Sequence, residues 1–277
     1  MARSLELPDP RTEIGAVVAV ALACCDEADA LSMASFRRAV DVEEKPDSSF
    51  VTAADRAVEQ AVRARIVARF PDHGLVGEEY GERPGESGRR WFIDPIDGTH
   101  NYMRGIPVFA TLLALEMDGR LVVGAVSAPA LRRRWLAWKG GGAWAIDLAG
   151  GPDPGTATRL HVSGIHDLRD ASLVYSSVPG IVGSGLAPGF AALLGEVWRD
   201  RGLGDFWGYM LVAEGAVEAM LEAELQPWDL AAPRLIVEEA GGRLTDLGGG
   251  ESHPQAGVLA TNGLLHETLV SALGRRP

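Results

Sequence analysis

A strand-like apolar run that ends in two carboxylates constrains this chain more than any other feature. Trp91-Phe92-Ile93-Asp94-Pro95-Ile96-Asp97-Gly98-Thr99 starts as a buried strand pattern, and Pro95 biases Asp94 toward extended geometry, so the run does not continue as a helix. The two aspartates can converge just past the strand, with the Ile96 carbonyl between them. All-oxygen donors of this kind suit Mg²⁺ or Ca²⁺ better than zinc. If a helix begins near Gly98 and Thr99, its free N–H groups make a place for a phosphate beside the metal. The same string is also ordinary turn chemistry, with aspartate capping and glycine taking positive φ. Acidic residues elsewhere in the chain bear on that choice.

A chain of 277 residues can form one large domain or two modest ones without disulfide or metal staples. Hydrophobic residues at 47% and charged residues at 23% argue against global disorder. A formal net charge of −12 disfavours nucleic acid or an anionic membrane as partner. An anionic substrate would need metal ions to offset the repulsion. Cys24 and Cys25 are adjacent on an apolar helical pattern and read as buried thiols, which fits a cytosolic compartment. No signal segment opens the sequence, and no apolar run approaches the roughly 20 residues that span a bilayer. A soluble, cytoplasmic protein is expected. The six histidines and two cysteines show no zinc spacing.

Punctuation by Pro and Gly divides the chain. A long helix is expected from Arg11 to Ser35, a polar loop from Asp41 to Phe50, a second helix from Ala53 to Phe70 and a short strand at Leu75-Val76. An exposed excursion from Gly81 to Arg90 precedes the Trp91 strand. Strands at Phe109–Met117, Leu121–Ser127, Arg134–Trp138 and Gly142–Ile146 form a largely antiparallel meander, with Asp118-Gly119 as a hairpin signal. Gly150 to Gly155 marks the expected boundary between an N-terminal unit, 1–150, and a C-terminal α/β layer, 151–277. There the pattern gives strand Ser172–Ser176, helix Ala187–Arg201, strand Leu203–Phe206, helix Gly208–Gly215, strand Val217–Leu221, helix Asp229–Ala240, strand Gly257–Thr261 and helix Gly263–Leu273. Two sheets layered among helices follow.

Four more carboxylates stand at element ends. Glu78 and Glu79 follow a short strand, Asp229 follows Trp228 at a helix start, and Asp55 lies in the first turn of the second helix. Each has a bland alternative: a solvated turn for the glutamates, an N-cap for Asp229, a favourable first-turn charge for Asp55. Taken together, Gly77-Glu78-Glu79, Asp94-Pro95-Ile96-Asp97-Gly98-Thr99, and Trp228-Asp229-Leu230-Ala231-Ala232 with Glu239-Ala240-Gly241-Gly242 stand in the order found in the inositol-monophosphatase superfamily, which the chain resembles over nearly its whole length.

That resemblance implies an αβαβα sandwich, an α/β fold, and a lithium-sensitive homodimeric phosphomonoesterase with two or three Mg²⁺ ions per site. It makes Glu78, Asp94, the Ile96 carbonyl, Asp97 and Asp229 metal ligands, with Asp55 supporting a weaker position. Glu78 and Thr99 would position the attacking water, and Asp97 and the Gly98 and Thr99 N–H groups would surround the phosphate. No Ser, Cys or His nucleophile is needed. Lys45 and Asp47 fall where a loop could close over the site, and an uninvolved charged loop is the alternative.

Substrate choice rests on a narrower similarity. Lys45-Pro46-Asp47, Arg104-Gly105-Ile106-Pro107-Val108, Ser127-Ala128-Pro129-Ala130-Leu131 and Gly204-Asp205-Phe206-Trp207-Gly208-Tyr209 resemble the bacterial histidinol-phosphate phosphatases of histidine biosynthesis. Inositol phosphatases usually carry Gly-Ser-Ala where this chain has Asp205-Phe206-Trp207. Carboxylates such as Asp205 and Glu222 would complement the ammonium and imidazole of histidinol phosphate, whereas inositol offers neutral hydroxyls. Asp229 would also border the substrate, Trp207 could stack on imidazole or lie in the core, and His100 is given no role. Inositol, sugar or nucleotide monoesters are the alternative substrates, and a non-catalytic ion-binding scaffold is the alternative class.

Overall fold

A computed structural model describes residues 5–38, 42–44, 50–149, 157–223, 225–250 and 257–274. Helix α1 (Glu13–Ser35) is capped by Thr12, whose hydroxyl accepts the Gly15 N–H. A small pair, β1 (Val42–Glu44) with β2 (Phe50–Thr52), leads into α2 (Ala53–Arg69). Next come β3 (Gly74–Gly77), β4 (Gly81–Arg83), β5 (Arg89–Asp97), the one-turn helix α3 (Thr99–Met103), and the meander β6 (Ala110–Met117), β7 (Arg120–Ala128), β8 (Arg133–Trp138), β9 (Gly142–Asp147) and β10 (Ala157–Arg159). The second half contains β11 (Ser172–Tyr175), α4 (Val178–Gly183), α5 (Ala187–Glu196), β12 (Arg199–Gly202), α6 (Asp205–Ala213), β13 (Ala219–Glu222), α7 (Pro227–Glu239), β14 (Arg243–Asp246), β15 (Val258–Thr261) and α8 (His266–Leu273).

Eight strands form one sheet in the order β10-β9-β8-β7-β6-β5-β3-β4, antiparallel except where β3 runs parallel to β5. Five form the other, β12-β11-β13-β15-β14. Strand alternation assigns the faces. Trp91 and Ile93 of β5 pack against Val17, Cys24, Val58 and Ile66 of α1 and α2, while Phe92 joins a second cluster with Phe206, Leu230 and Ile236. That cluster also takes Val174, Met220 and Ala260 from the second sheet, so α6 and α7 form the middle layer. Leu173, Leu221 and Leu259 on the far face meet Phe190, Leu193 and Leu269 of α5 and α8. The result is the αβαβα sandwich. At Gly124 of β7 a Cβ would stand 3.0 Å from the Ala232 carbonyl oxygen, so glycine lets α7 lie directly on the sheet. Among the described residues no helix is long and apolar enough to cross a membrane.

Several boundaries differ from expectation. The helix expected over Ala187–Arg201 stops at Glu196, and Arg199–Gly202 instead pairs parallel with β11 as an edge strand. Leu203–Phe206 is not a strand, because α6 begins at Asp205. β14 was not anticipated, nor was β4, which turns part of the Gly81–Arg90 excursion into an antiparallel partner of β3. Gly150–Gly155, Lys45 and Asp47 lie outside the described residues.

Candidate active site

The end of β5 is built to aim carboxylates. Asp94 pairs opposite Leu112 but Asp97 opposite Ala110, so three steps on β5 match two on β6 and the strand bulges between them. The Thr111 hydroxyl holds the bulge by donating to the Pro95 carbonyl at 2.8 Å. Asp94 shares the face of Phe92 and therefore points toward the α6/α7 layer. Gly98 then takes φ +80°, a left-handed turn that suits glycine, and caps α3. The Thr99 hydroxyl donates to the Ile96 carbonyl at 2.9 Å. A carbonyl oxygen has a second lone pair, so Ile96 remains able to ligate a cation. The first-turn N–H groups of α3 have no acceptor within the helix.

Other elements bring their acids to the same place. Glu78, Asp94, Ile96, Asp97, Gly98, Thr99, Asp205, Glu222 and Asp229 all line one cleft of about 390 Å³, together with His100, Phe206, Tyr209 and Leu225. Asp229 is not the N-cap of α7. Gln226 is, and its N–H donates to Asp229 Oδ2 at 2.7 Å in a capping box. Asp205 opens α6 with φ +57°, left-handed for a non-glycine residue, which aims the Phe206 N–H at Asp97 Oδ2 (2.8 Å). Asp205 Oδ2 accepts from Asn101 Nδ2 at 3.2 Å. Trp207 does not line the cleft; it packs against the middle-layer core, while Phe206 supplies the aromatic wall. Asp55 is fully buried one layer back as the N3 acid of the α2 capping box, accepting from the Thr52 N–H at 2.8 Å.

Crowding of these acids is costly in the absence of counter-charge. Burial, then the charges of Glu78, Asp97 and Asp229, pushes Asp94 well above the ordinary carboxylate range. Asp97 is raised in the same way, first by burial and then by Asp205 and Asp229. Burial lifts Asp229 and Asp55 each to about 6 and Glu222 to about 8. Asp205 is raised by burial, with His100 opposing. Asp94 Oδ1 and Asp55 Oδ1 are buried with no hydrogen-bond partner, and such orphaned acceptors need a ligand to be tolerated. Hard oxygen donors with an excess of negative charge fit Mg²⁺. Among the described residues no cluster of three His, Cys, Asp or Glu side chains is already gathered as ligands.

Sequence reasoning missed several contributors. Glu59 is fully buried on α2. Its Oε2 accepts the Glu79 N–H at 2.7 Å, and its Oε1 accepts the Tyr80 N–H at 3.2 Å and Arg63 Nε at 2.6 Å. It thereby fixes the turn that carries Glu78. The signal was an acid four residues after Asp55 on the helical face that continues through Val62 and Ile66. His100, given no role, borders the cleft, and Tyr209 hydrogen-bonds Glu222 within it.

Comparison with known proteins agrees with this architecture. A model of the inositol monophosphatase family matches residues 14–276. A histidinol-phosphatase from Mycobacterium tuberculosis is 47% identical over 256 residues, covering 92% of this chain and 96% of its own. One from Streptomyces coelicolor is 47% identical over 257 residues, covering 91% and 94%. The solved structure of extragenic suppressor protein suhB from Bartonella henselae matches with a TM-score of 0.85 at 29% identity, over 95% of this chain and 100% of its own.

Proposed function

The chain belongs to the inositol monophosphatase family, and from that premise we propose that this phosphatase hydrolyses L-histidinol phosphate to L-histidinol and phosphate, with Mg²⁺ as its cofactor. The observation that carries the substrate reading is the presence of Asp205 and Glu222 in the same cleft as Asp94, Asp97 and Thr99. Two acids beyond those needed for a phosphate and its metal suit an alcohol that is cationic. The 47% identity to relatives named histidinol-phosphatase supports it. Phosphatase relatives of this similarity set aside the non-catalytic alternative.

Glu78, Asp94, the Ile96 carbonyl, Asp97 and Asp229 would hold Mg²⁺, with Asp55 behind them. When bound, the metal supplies positive charge for the phosphoryl oxygens and acidifies water. The protein's own groups do the placing. Thr99, its proton committed to the Ile96 carbonyl, presents its oxygen as an acceptor for a water proton, and Glu78, in the same cleft, would position that water with it. The Gly98 and Thr99 N–H groups take the phosphoryl oxygens. Asp205 and Glu222 orient the amine-bearing alcohol. A cytoplasmic homodimer inhibited by lithium completes the proposal.

The test is phosphate release under saturating Mg²⁺ from histidinol phosphate, myo-inositol 1-phosphate, fructose 1,6-bisphosphate and a 3′-phosphoadenosine nucleotide. A preference of about a hundredfold for histidinol phosphate, near 2.7 kcal/mol of transition-state discrimination, is expected. A flat or inositol-led profile would withdraw the substrate while leaving the family chemistry in place.

A further inference from the structure

Glu222 is held more tightly than burial alone requires. Tyr209 Oη donates to Glu222 Oε2 at 2.7 Å, with both side chains buried. The two groups come from separate elements: Tyr209 from the second turn of α6 and Glu222 from the last position of β13. Alternation places Glu222 on the same face as Met220, toward the helical layer that contains the cleft. Hydroxyl donors fix the direction of a carboxylate without cancelling its charge. Among the described residues that line the cleft the only basic side chain is His100, so no lysine or arginine there neutralises Glu222.

We infer that Tyr209 is a positioning residue that fixes Glu222 to accept an alkylammonium group on the alcohol of the phosphate ester. In this role Tyr209 acts through Glu222, to which its hydroxyl is committed. A carboxylate held at one angle forms a short charge-assisted bond to an ammonium, and one free to rotate loses part of that bond to disorder. The inference rests on the proposed substrate class and deepens it, from two acids near a cationic alcohol to one oriented receptor for the amine.

A matched pair of substrates isolates the amine: histidinol phosphate and its deamino analogue, 3-(imidazol-4-yl)propyl phosphate, both under saturating Mg²⁺. The wild type should favour the amine ester in kcat/KM, and Glu222→Gln should bring the ratio near unity. Tyr209→Phe should lower the ratio by about tenfold through a higher KM for the amine ester, with kcat within about twofold and the deamino ester unchanged. In the Glu222→Gln background the same change should move the ratio no further. Equal losses on both esters, or an effect that persists without Glu222, overturn the inference. Should Tyr209→Phe lose its thermal transition, Glu222→Asp carries the test, because it keeps the charge but draws it away from the Tyr209 hydroxyl: a fall of about threefold or more in the ratio with the deamino ester unchanged supports it, and an unchanged ratio counts against it. A wild type that treats the two esters alike defeats the amine reading itself, an outcome distinct from a wild-type preference that Tyr209→Phe retains.

Discussion

Replacing Glu222 with glutamine should stabilise the metal-free protein, by an amount that grows with pH. Burial is the main cause that lifts the Glu222 carboxyl from 4.5 to about 8, with the Asp205 and Asp229 charges adding to it. Between those values the folded protein binds a proton that the unfolded chain has released, so stability falls as pH rises through that window. At roughly 1.4 kcal/mol per pH unit the penalty is under about 1 kcal/mol at pH 5, about 3 kcal/mol at pH 7, and levels off near 5 kcal/mol above pH 8. Glutamine does not titrate and keeps an amide oxygen for the Tyr209 hydroxyl. Urea unfolding in excess EDTA at pH 5, 6, 7 and 8 reads the difference between variant and wild type directly. The reasoning is refuted if the gap is independent of pH, or if the wild type is the more stable protein at pH 8. Activity should move the other way, because the same carboxylate is the proposed amine contact.

Other perturbations follow the same physics. Asp94→Asn should lower kcat/KM by about a thousandfold, near 4 kcal/mol, and abolish the rise in melting temperature that Mg²⁺ at a hundred times its Kd gives the wild type through about 2.7 kcal/mol of linkage; calorimetry with and without EDTA checks it. Glu59→Gln weakens the bonds that hold the Glu78 turn, so the Mg²⁺ concentration for half-maximal activity should rise several-fold while the circular dichroism spectrum stays unchanged. His266 lies buried between the Thr245 and Thr261 hydroxyls, each at 2.9 Å, and burial lowers it to about 4. The unfolded chain binds the proton first, so stability should fall as pH drops from 6.5 toward 4, by at most about 3 kcal/mol; His266→Gln should flatten that slope in acid denaturation.

What was legible in the sequence was local or carried by motif. The Trp91–Thr99 run announced both its strand and its stop, because Pro95 and Gly98 act on their own backbone. The meander was readable from period-two alternation and the Asp118-Gly119 turn. Arg199–Gly202 was not readable as a strand, since nothing in Arg-Asp-Arg-Gly favours one; it is a strand because β11 offers it an edge. Leu203–Phe206 looked extended from Leu and Phe, but the left-handed turn at Asp205 starts a helix there. Convergence of Glu78, Asp94, Asp205, Glu222 and Asp229 on one cleft is a tertiary fact, which the ordered motifs anticipated and spacing alone did not. Glu59 escaped notice because its work is done on backbone N–H groups of another element.

The site has a common construction that bears on how it should be probed. Several acids have one oxygen fixed by the protein: Asp55 Oδ2 by Thr52, Asp97 Oδ2 by the Phe206 N–H, Glu222 Oε2 by Tyr209 and Asp229 Oδ2 by the Gln226 N–H. At Asp55 the other oxygen is buried without a partner. One oxygen therefore sets the position of the side chain while the charge still awaits a cation, so the cleft can be ordered before any ion enters it. An alanine at these positions removes placement and charge together, and its effect on activity cannot be divided between them. Asparagine or glutamine retains an amide oxygen for the anchoring donor and deletes only the charge. At Asp97 and Asp229 the neutral isosteres should accordingly gain stability in EDTA and lose the response to Mg²⁺, whereas alanines there should lose both, because the Phe206 and Gln226 N–H groups would be left unpaired.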